Sequence, residues 1–113
     1  MKMNEKGLRY NEGKPKWSLV DFKSLEPMVR VLEYGAEKYT TKDCSGRDNW
    51  KKGMPVQEVC ESMLRHTFAL LEGEMIDSES GKEHIGHVQA NAMFIAYMLR
   101  EKSEFNNLPK KEK

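Results

Sequence analysis

The chain has 113 residues, room for one domain with one core and not for two. Its 19 basic and 18 acidic residues leave a net charge of +1, so no chain-wide field draws it to a nucleic-acid polymer or an anionic membrane, while small charged ligands remain open. Apolar residues are 38% of the total and charged residues 33%, a wet balance for a monomer of this length, which predicts a homo-oligomer.

Residues 1 to 17 are polar and without a period, but Tyr10-Asn11-Glu12-Gly13-Lys14-Pro15-Lys16-Trp17 carries turn chemistry and predicts an ordered, packed N-terminal arm. From about Ser24 to Lys38, Leu25, Met28, Val29, Leu32 and Ala36 recur at helical spacing, with Pro27 early enough for a first turn. Thr40 to Met54 reads as a long connection carrying Asn49 and Trp50. Pro55 then opens a second helix with an inner stripe of Val56, Val59, Cys60, Met63, Leu64, Thr67 and Leu71, and Gly73 supplies its C-terminal cap.

An acidic connection, Glu74 to Ser80, leads into Ser80-Gly81-Lys82-Glu83, which has the form of a Ser-x-x-Glu capping box and predicts that a third helix starts there. That helix runs to about Lys102. Ile85, Val88, Ala92, Ile95, Ala96 and Leu99 share one side, and Phe94, Tyr97 and Met98 widen the apolar surface until it nearly encircles the helix, placing it centrally or between subunits. The tail, from about 104 to 113, is expected to be loose. No strand pattern competes, so residues 1–113 read as a single all-α domain, a small helical bundle. Several of the eight methionines fall in the helical patterns and are expected to fill the core.

Cys44 and Cys60 are the only cysteines, no apolar leader follows Met1, and no apolar run approaches the ~20 residues of a membrane span. A cytoplasmic protein with both thiols free is the expectation.

Two places concentrate chemistry. Glu33 and Glu37 are four apart on one helix face, a repulsive pair that a cation, or simply Arg30 or Lys38, would neutralise. Denser is the succession Arg65-His66, then Glu74, Asp77 and Glu79, then His84 and His87. His84, His87 and Asn91 fall on one side of the third helix, apart from the Ile85, Val88 and Ala92 stripe. Oxygen-rich surroundings suit Mg2+ or Mn2+ better than zinc, and neither cysteine has a zinc-site partner. Lys14, Lys38 and Arg65 can offset phosphate charge, and Trp17, Tyr39 and Trp50 can stack on a base, although aromatic residues beside basic ones are more often core edges.

Taken in order, Gly13-Lys14-Pro15-x-Trp17, Tyr34-Gly35-Ala36-Glu37-Lys38-Tyr39, Asn49-Trp50, Arg65-His66, Gly73-Glu74-x-x-Asp77-x-Glu79-Ser80-Gly81-x-x-His84-x-x-His87 and Asn91-Ala92-x-Phe94 resemble the N-terminal domain family of phage dATP/dGTP diphosphohydrolases over roughly residues 7 to 100. The resemblance implies a MazG-like all-α nucleotide pyrophosphohydrolase, dependent on Mg2+ or Mn2+ and assembled as an oligomer with sites near subunit boundaries. By position it implies Glu37, Lys38, Arg65, His66, Glu74, Asp77, Glu79, His84 and His87 as site residues.

The function expected on this basis is hydrolysis of purine (deoxy)nucleoside triphosphates to monophosphate and pyrophosphate. Glu37, Glu74, Asp77 and Glu79 would be metal ligands or a water-orienting base, with His84 and His87 beside them in the catalytic set. Lys14, Trp17, Lys38, Tyr39, Asn49, Trp50, Arg65, His66 and Asn91 would bind the nucleotide. The Glu-x-x-Glu and Glu-x-x-Asp pairs of MazG-type enzymes are replaced by a four-residue spacing and by His84-x-x-His87. That departure motivates the alternative of a phage protein that captures a nucleotide signal without cleaving it.

Overall fold

The first helix, α1 (Glu26–Lys38), is entered through a 3-10 turn at Phe22–Leu25 and so begins two residues beyond the expected Ser24. Pro27 lies in its first turn, where the missing N–H has no helical partner to lose. This computed structural model describes residues 7–111, so the first six residues of the arm and the last two of the tail lie outside the described residues.

Two further helices follow, α2 (Val56–Leu71) and α3 (His84–Glu101), with 3-10 turns at Trp17–Leu19, Asn49–Lys52 and Ser103–Phe105. Among the described residues there is no strand, only isolated bridges at Thr41–Cys44 and Ile76–Glu83, in line with the all-α expectation. Both α1 and α2 pack against α3, which is therefore the central helix. No helix is long and apolar enough to cross a membrane among the described residues, and both cysteines are free.

The C-terminal end of α2 shows how the sequence aims the next segment. Gly73 adopts a φ of +88°, its N–H bonds to Leu70 O at 2.9 Å, and Glu74 N–H bonds to Ala69 O at 2.9 Å. This pair of bonds is a Schellman cap; glycine supplies the left-handed residue, and the turn delivers Glu74 beside α3. At the other end, Gln57 N–H donates to Asn107 Oδ1 at 2.9 Å, so the tail caps α2 from fifty residues away. Phe105 also lies against Gly53. The tail expected to be loose from 104 is anchored at these two points.

The buried apolar residues are Val31, Val56, Val59, Ala90 and Met98. For α2 this agrees with the expected stripe at Val56 and Val59, whereas Leu64 and Leu71 face outward. In α3 the expected side is only partly covered: Val88 and Ile95 are half-buried but Ile85, Ala92, Ala96 and Leu99 are exposed, and the buried residues are His84, Gly86, Ala90 and Met98. The apolar surface of α3 runs almost all round it, so period alone did not set its phase. Packing did: Gly86 sits so close to α1 that a Cβ would collide with the Pro27 carbonyl. Met98 is fully buried, as expected of a core methionine.

The arm has its expected turn, closed by Lys14 N–H to Asn11 O at 3.2 Å with Gly13 at φ +76°. It buries nothing against its own chain, since every residue from Gly7 to Trp17 is exposed; the first hydrogen bond to α3 comes only at Ser24, whose carbonyl accepts from Gln89 Nε2 at 2.9 Å.

Candidate functional site

Between α1, the connection after it, α2 and the acidic loop lies one cavity of 630 Å³, within the size range of small-molecule sites. Each wall has a local cause. On α2, Ser62, Arg65, His66 and Ala69 line it; their i, i+3, i+4, i+7 spacing puts them on one helix face. Opposite, Tyr34, Gly35, Lys38 and Tyr39 of α1 line it, and Asn49 and Trp50 close one side. Gly46 lets the connection fold over the end of α1: its N–H donates to Thr40 Oγ1 at 2.8 Å, and a Cβ there would collide with the Ala36 carbonyl and the Thr40 amide.

The fourth wall is the loop between α2 and α3. Asp77 N–H bonds to Lys82 O at 2.8 Å, Gly81 N–H to Asp77 O at 2.7 Å and His84 N–H to Met75 O at 2.9 Å, making a tight hairpin. The Asp77 carboxylate accepts from Ser80 N–H at 3.1 Å, from the Ser80 hydroxyl at 2.8 Å and from Glu79 N–H at 3.4 Å. Burial works against ionisation here, but these bonds outweigh it and hold the Asp77 pKa below the ordinary carboxylate value.

These bonds also correct the capping-box expectation. Asp77 takes the Ser80 N–H that Glu83 would accept in a capping box, and Ser80 Oγ accepts from Lys82 N–H at 3.2 Å within the loop, so α3 begins four residues later at His84, with Glu83 at the N-cap and no side-chain cap. Ser80 Oγ also lies 2.7 Å from His87 Nε2, and Asp77 Oδ2 lies 3.5 Å from the same nitrogen. With the hydroxyl proton committed to Asp77, Ser80 Oγ accepts from His87 Nε2–H.

The three histidines meet. His66 and His87 stack nearly parallel, ring centroids 4.2 Å apart and planes 5° apart, and His66 Nδ1 lies 2.8 Å from His84 Nδ1. His84 is 5% exposed; its Nε2 lies 3.3 Å from Glu74 Oε2, yet the two are not aligned as a hydrogen bond and this buried nitrogen has no partner. A neighbouring carboxylate only accepts, which favours the His84 proton on Nε2 and leaves its Nδ1 to accept from His66 Nδ1–H. Burial, followed by the charge of the neighbouring His87, lowers the His66 pKa; burial, offset in part by Asp77, lowers that of His87. Both shifts favour the neutral rings, and with Nδ1–H given to His84 the remaining His66 nitrogen, Nε2, is an acceptor.

Of the expected site residues, Glu74, Asp77, Glu79, His84, His87, Lys38, Tyr39, Asn49, Trp50, Arg65 and His66 all line the cavity. Glu37 does not. It shares the Glu33 face of α1 and borders a separate hollow with Tyr34 and Lys38, while Glu33 is neutralised by Arg30 at 3.0 Å, as a solvated face would be. Asn91 lies behind the wall, its amide 3.4 Å from Ser62 Oγ. Lys14 and Trp17 stand on the exposed arm, outside the cavity of their own chain.

Sequence reasoning missed Tyr34, Gly35, Arg47, Ser62, Ser80 and Phe94 as lining residues. Ser62 had a signal, one helical turn before His66. Phe94 became legible only through Trp50, whose ring packs on it at 4.7 Å and on Tyr97 at 4.9 Å.

Electrostatically the cavity is divided. Lys38, Arg47 and Arg65 line it and form no ion pair with a described residue, whereas Glu74, Asp77 and Glu79 lie together in the loop. The four carboxylates expected to hold a cation do not form a closed cage: Glu37 faces elsewhere, Asp77 is occupied by donors, and among the described residues no three His, Cys, Asp or Glu side chains converge as metal ligands.

Known proteins match this chain along nearly its whole length. The family model described as dATP/dGTP diphosphohydrolase, N-terminal, matches residues 4–108. A curated relative from Salmonella phage PMBT28, named a dATP/dGTP diphosphohydrolase, is 31% identical over 96 residues, which cover 85% of this chain and 31% of the relative. The chain thus spans about a third of that relative's length. No solved structure matches it significantly. The chain belongs to the dATP/dGTP diphosphohydrolase N-terminal family.

Proposed function

We propose that this chain binds a purine (deoxy)nucleoside triphosphate in the cavity and hydrolyses it to the monophosphate and pyrophosphate. The observation that carries the reading is that aromatic rings, cations outside any ion pair with a described residue and three mutually contacting histidines line one cavity of 630 Å³. Trp50 and Tyr39 offer faces to a base, and Lys38, Arg47 and Arg65 offer charge to a phosphate chain. The name of the Salmonella phage relative supports the substrate class.

In the reaction a water oxygen attacks the α-phosphorus, the bond from that phosphorus to the bridging oxygen breaks, and pyrophosphate leaves. His66 Nε2 takes the water proton, a role suited to a base kept neutral by burial. His84 fixes the His66 tautomer, and the cations offset charge developing on the phosphates. One or two protein carboxylates together with substrate phosphates would be enough to hold Mg2+ or Mn2+, which would offset phosphate charge without a closed protein cage. Glu74 and Glu79 are the carboxylates best suited to receive it.

The protein works as a homo-oligomer. Its radius of gyration is 18.7 Å, against about 13 Å for a compact domain of this length, and the exposed arm carries Trp17 and Phe22 while α2 exposes Leu64, Phe68 and Leu71. Partner copies covering these surfaces would bring an arm, with Lys14 and Trp17, to a subunit boundary. Sedimentation gives the mass directly.

The direct test is incubation with dATP and dGTP in Mg2+ or Mn2+, following pyrophosphate. Release from either nucleotide supports the reading, and no release from any nucleotide with either metal removes it. A second reading, capture without cleavage, is favoured by the absence of a closed cation cage among the described residues. Intact nucleotide recovered after heat denaturation of a complex supports capture; recovered monophosphate excludes it.

A further inference from the structure

Gly35 lies inside α1, four residues from its C-terminal cap, Tyr39, and its backbone is ordinary helix without a positive φ. Glycine there weakens a helix relative to alanine, so it calls for a reason. The other close-packed glycines have one. Gly86 admits the Pro27 carbonyl, Gly46 admits the end of α1, and Gly53 combines a φ of +126° with the Phe105 ring above it. At Gly35 a Cβ would meet nothing within 4 Å, so neither packing nor backbone geometry requires the glycine.

What Gly35 does border is the cavity, among Tyr34, Tyr39 and Trp50. The same cavity is lined by His84, whose buried Nε2 has only the unaligned Glu74 carboxylate at 3.3 Å beside it and so retains a polar atom that a ligand can engage. We infer that Gly35 is a specificity-determining residue: its missing side chain lets the base or sugar of the ligand lie directly against the α1 backbone. This inference rests on the nucleotide reading above. The phosphate chain is assigned to Lys38, Arg47 and Arg65, and because Lys38 lies one turn from Gly35 on the same face, inorganic tripolyphosphate is the probe that separates an effect on the nucleoside end from one on the phosphate end.

The test compares wild type with Gly35→Ala and Gly35→Leu for binding of dATP, dGTP and inorganic tripolyphosphate by calorimetry, alongside thermal melting and sedimentation. The Gly35→Ala protein is expected to melt about 2 to 6 °C higher, to bind the nucleotides about tenfold more weakly and to bind tripolyphosphate as wild type does. Gly35→Leu should deepen the nucleotide defect alone. Unchanged nucleotide affinity in both variants overturns the inference while leaving the nucleotide reading intact. So does a changed oligomer mass with tripolyphosphate and nucleotides weakened equally, which makes Gly35 a subunit contact. If wild type binds no nucleotide, the nucleotide reading itself has failed.

Discussion

His66 Nδ1 and His84 Nδ1 face each other at 2.8 Å across α2 and α3, so one nitrogen carries the hydrogen and the other the lone pair. A second proton on the accepting ring would replace the bond with repulsion. His87 stacks on His66 from the other side, so the α2 and α3 faces of the cavity meet through imidazoles that favour neutrality.

Stability should therefore depend on pH in two stages. The folded pKa values of His66 and His87 lie below the ordinary 6.5, so the unfolded chain binds more protons once pH drops through 6.5, and stability is lost as pH continues toward the folded values. Asp77, held below its ordinary 3.8, adds a second loss as pH falls through 3.8 toward its own folded value. Melting temperatures between pH 8 and 5 should fall on the acid side. A His87→Gln variant should show a shallower fall, and a flat wild-type profile over that range would contradict the imidazole geometry.

Ser80→Ala removes the hydroxyl that donates to Asp77 and accepts from His87. The expected cost is about 1 to 3 kcal/mol, because both partners are half-buried and left without it. NMR titration should show the Asp77 carboxyl moving up toward its ordinary value. Urea denaturation with a midpoint equal to wild type would show that Ser80 serves only the loop backbone.

Lys38→Ala and Arg65→Ala probe the division of charge. Both side chains are exposed and outside any ion pair with a described residue, so folding stability should stay within about 0.5 kcal/mol of wild type. Nucleotide affinity should drop about tenfold for each, with a weaker dependence on salt. Calorimetry at two salt concentrations separates this from a loss of folded protein.

Gly86→Ala provides a contrast to Gly35. The same substitution in a helix interior should here destabilise by about 1 to 3 kcal/mol, because the new methyl meets the Pro27 carbonyl of α1. A melting temperature at or above wild type would mean that α1 and α3 do not cross as closely as described.

Asn107→Ala tests the distant cap of α2, whose Gln57 N–H loses its acceptor. A loss of about 1 kcal/mol is expected by chemical denaturation. If deletion of residues from 106 onward leaves stability unchanged, the tail is as loose as its composition suggests.

The helices were legible where period and punctuation agree. Pro27 and Pro55 mark starts, Gly73 marks an end, and Val56 and Val59 lie on the side their spacing predicts. The candidate site was legible as a set, since the residues from Arg65 to His87 are close in sequence and one hairpin returns them to each other. Glu37 lies outside this cavity although its neighbours Ala36 and Lys38 line it, because adjacent helical side chains point about 100° apart and nothing local says which side holds the cavity. Ser80 was misassigned because Asp77 competes with Glu83 for the Ser80 N–H, and only the packed loop shows which carboxylate takes it.

By itself the sequence determined that there are three helices in this order, the span of α2 with its turn at Gly73, and the family, because each depends on residues near one another or on a pattern along the chain. Tertiary structure decided the phase of α3, the pairing of His66 with His84, the capping of α2 by Asn107 and the empty volume beside Gly35. Those depend on which surfaces of separate elements meet. An almost uniformly apolar helix has no preferred inward side until Gly86 is pressed against Pro27, and that contact turns the imidazoles toward the cavity.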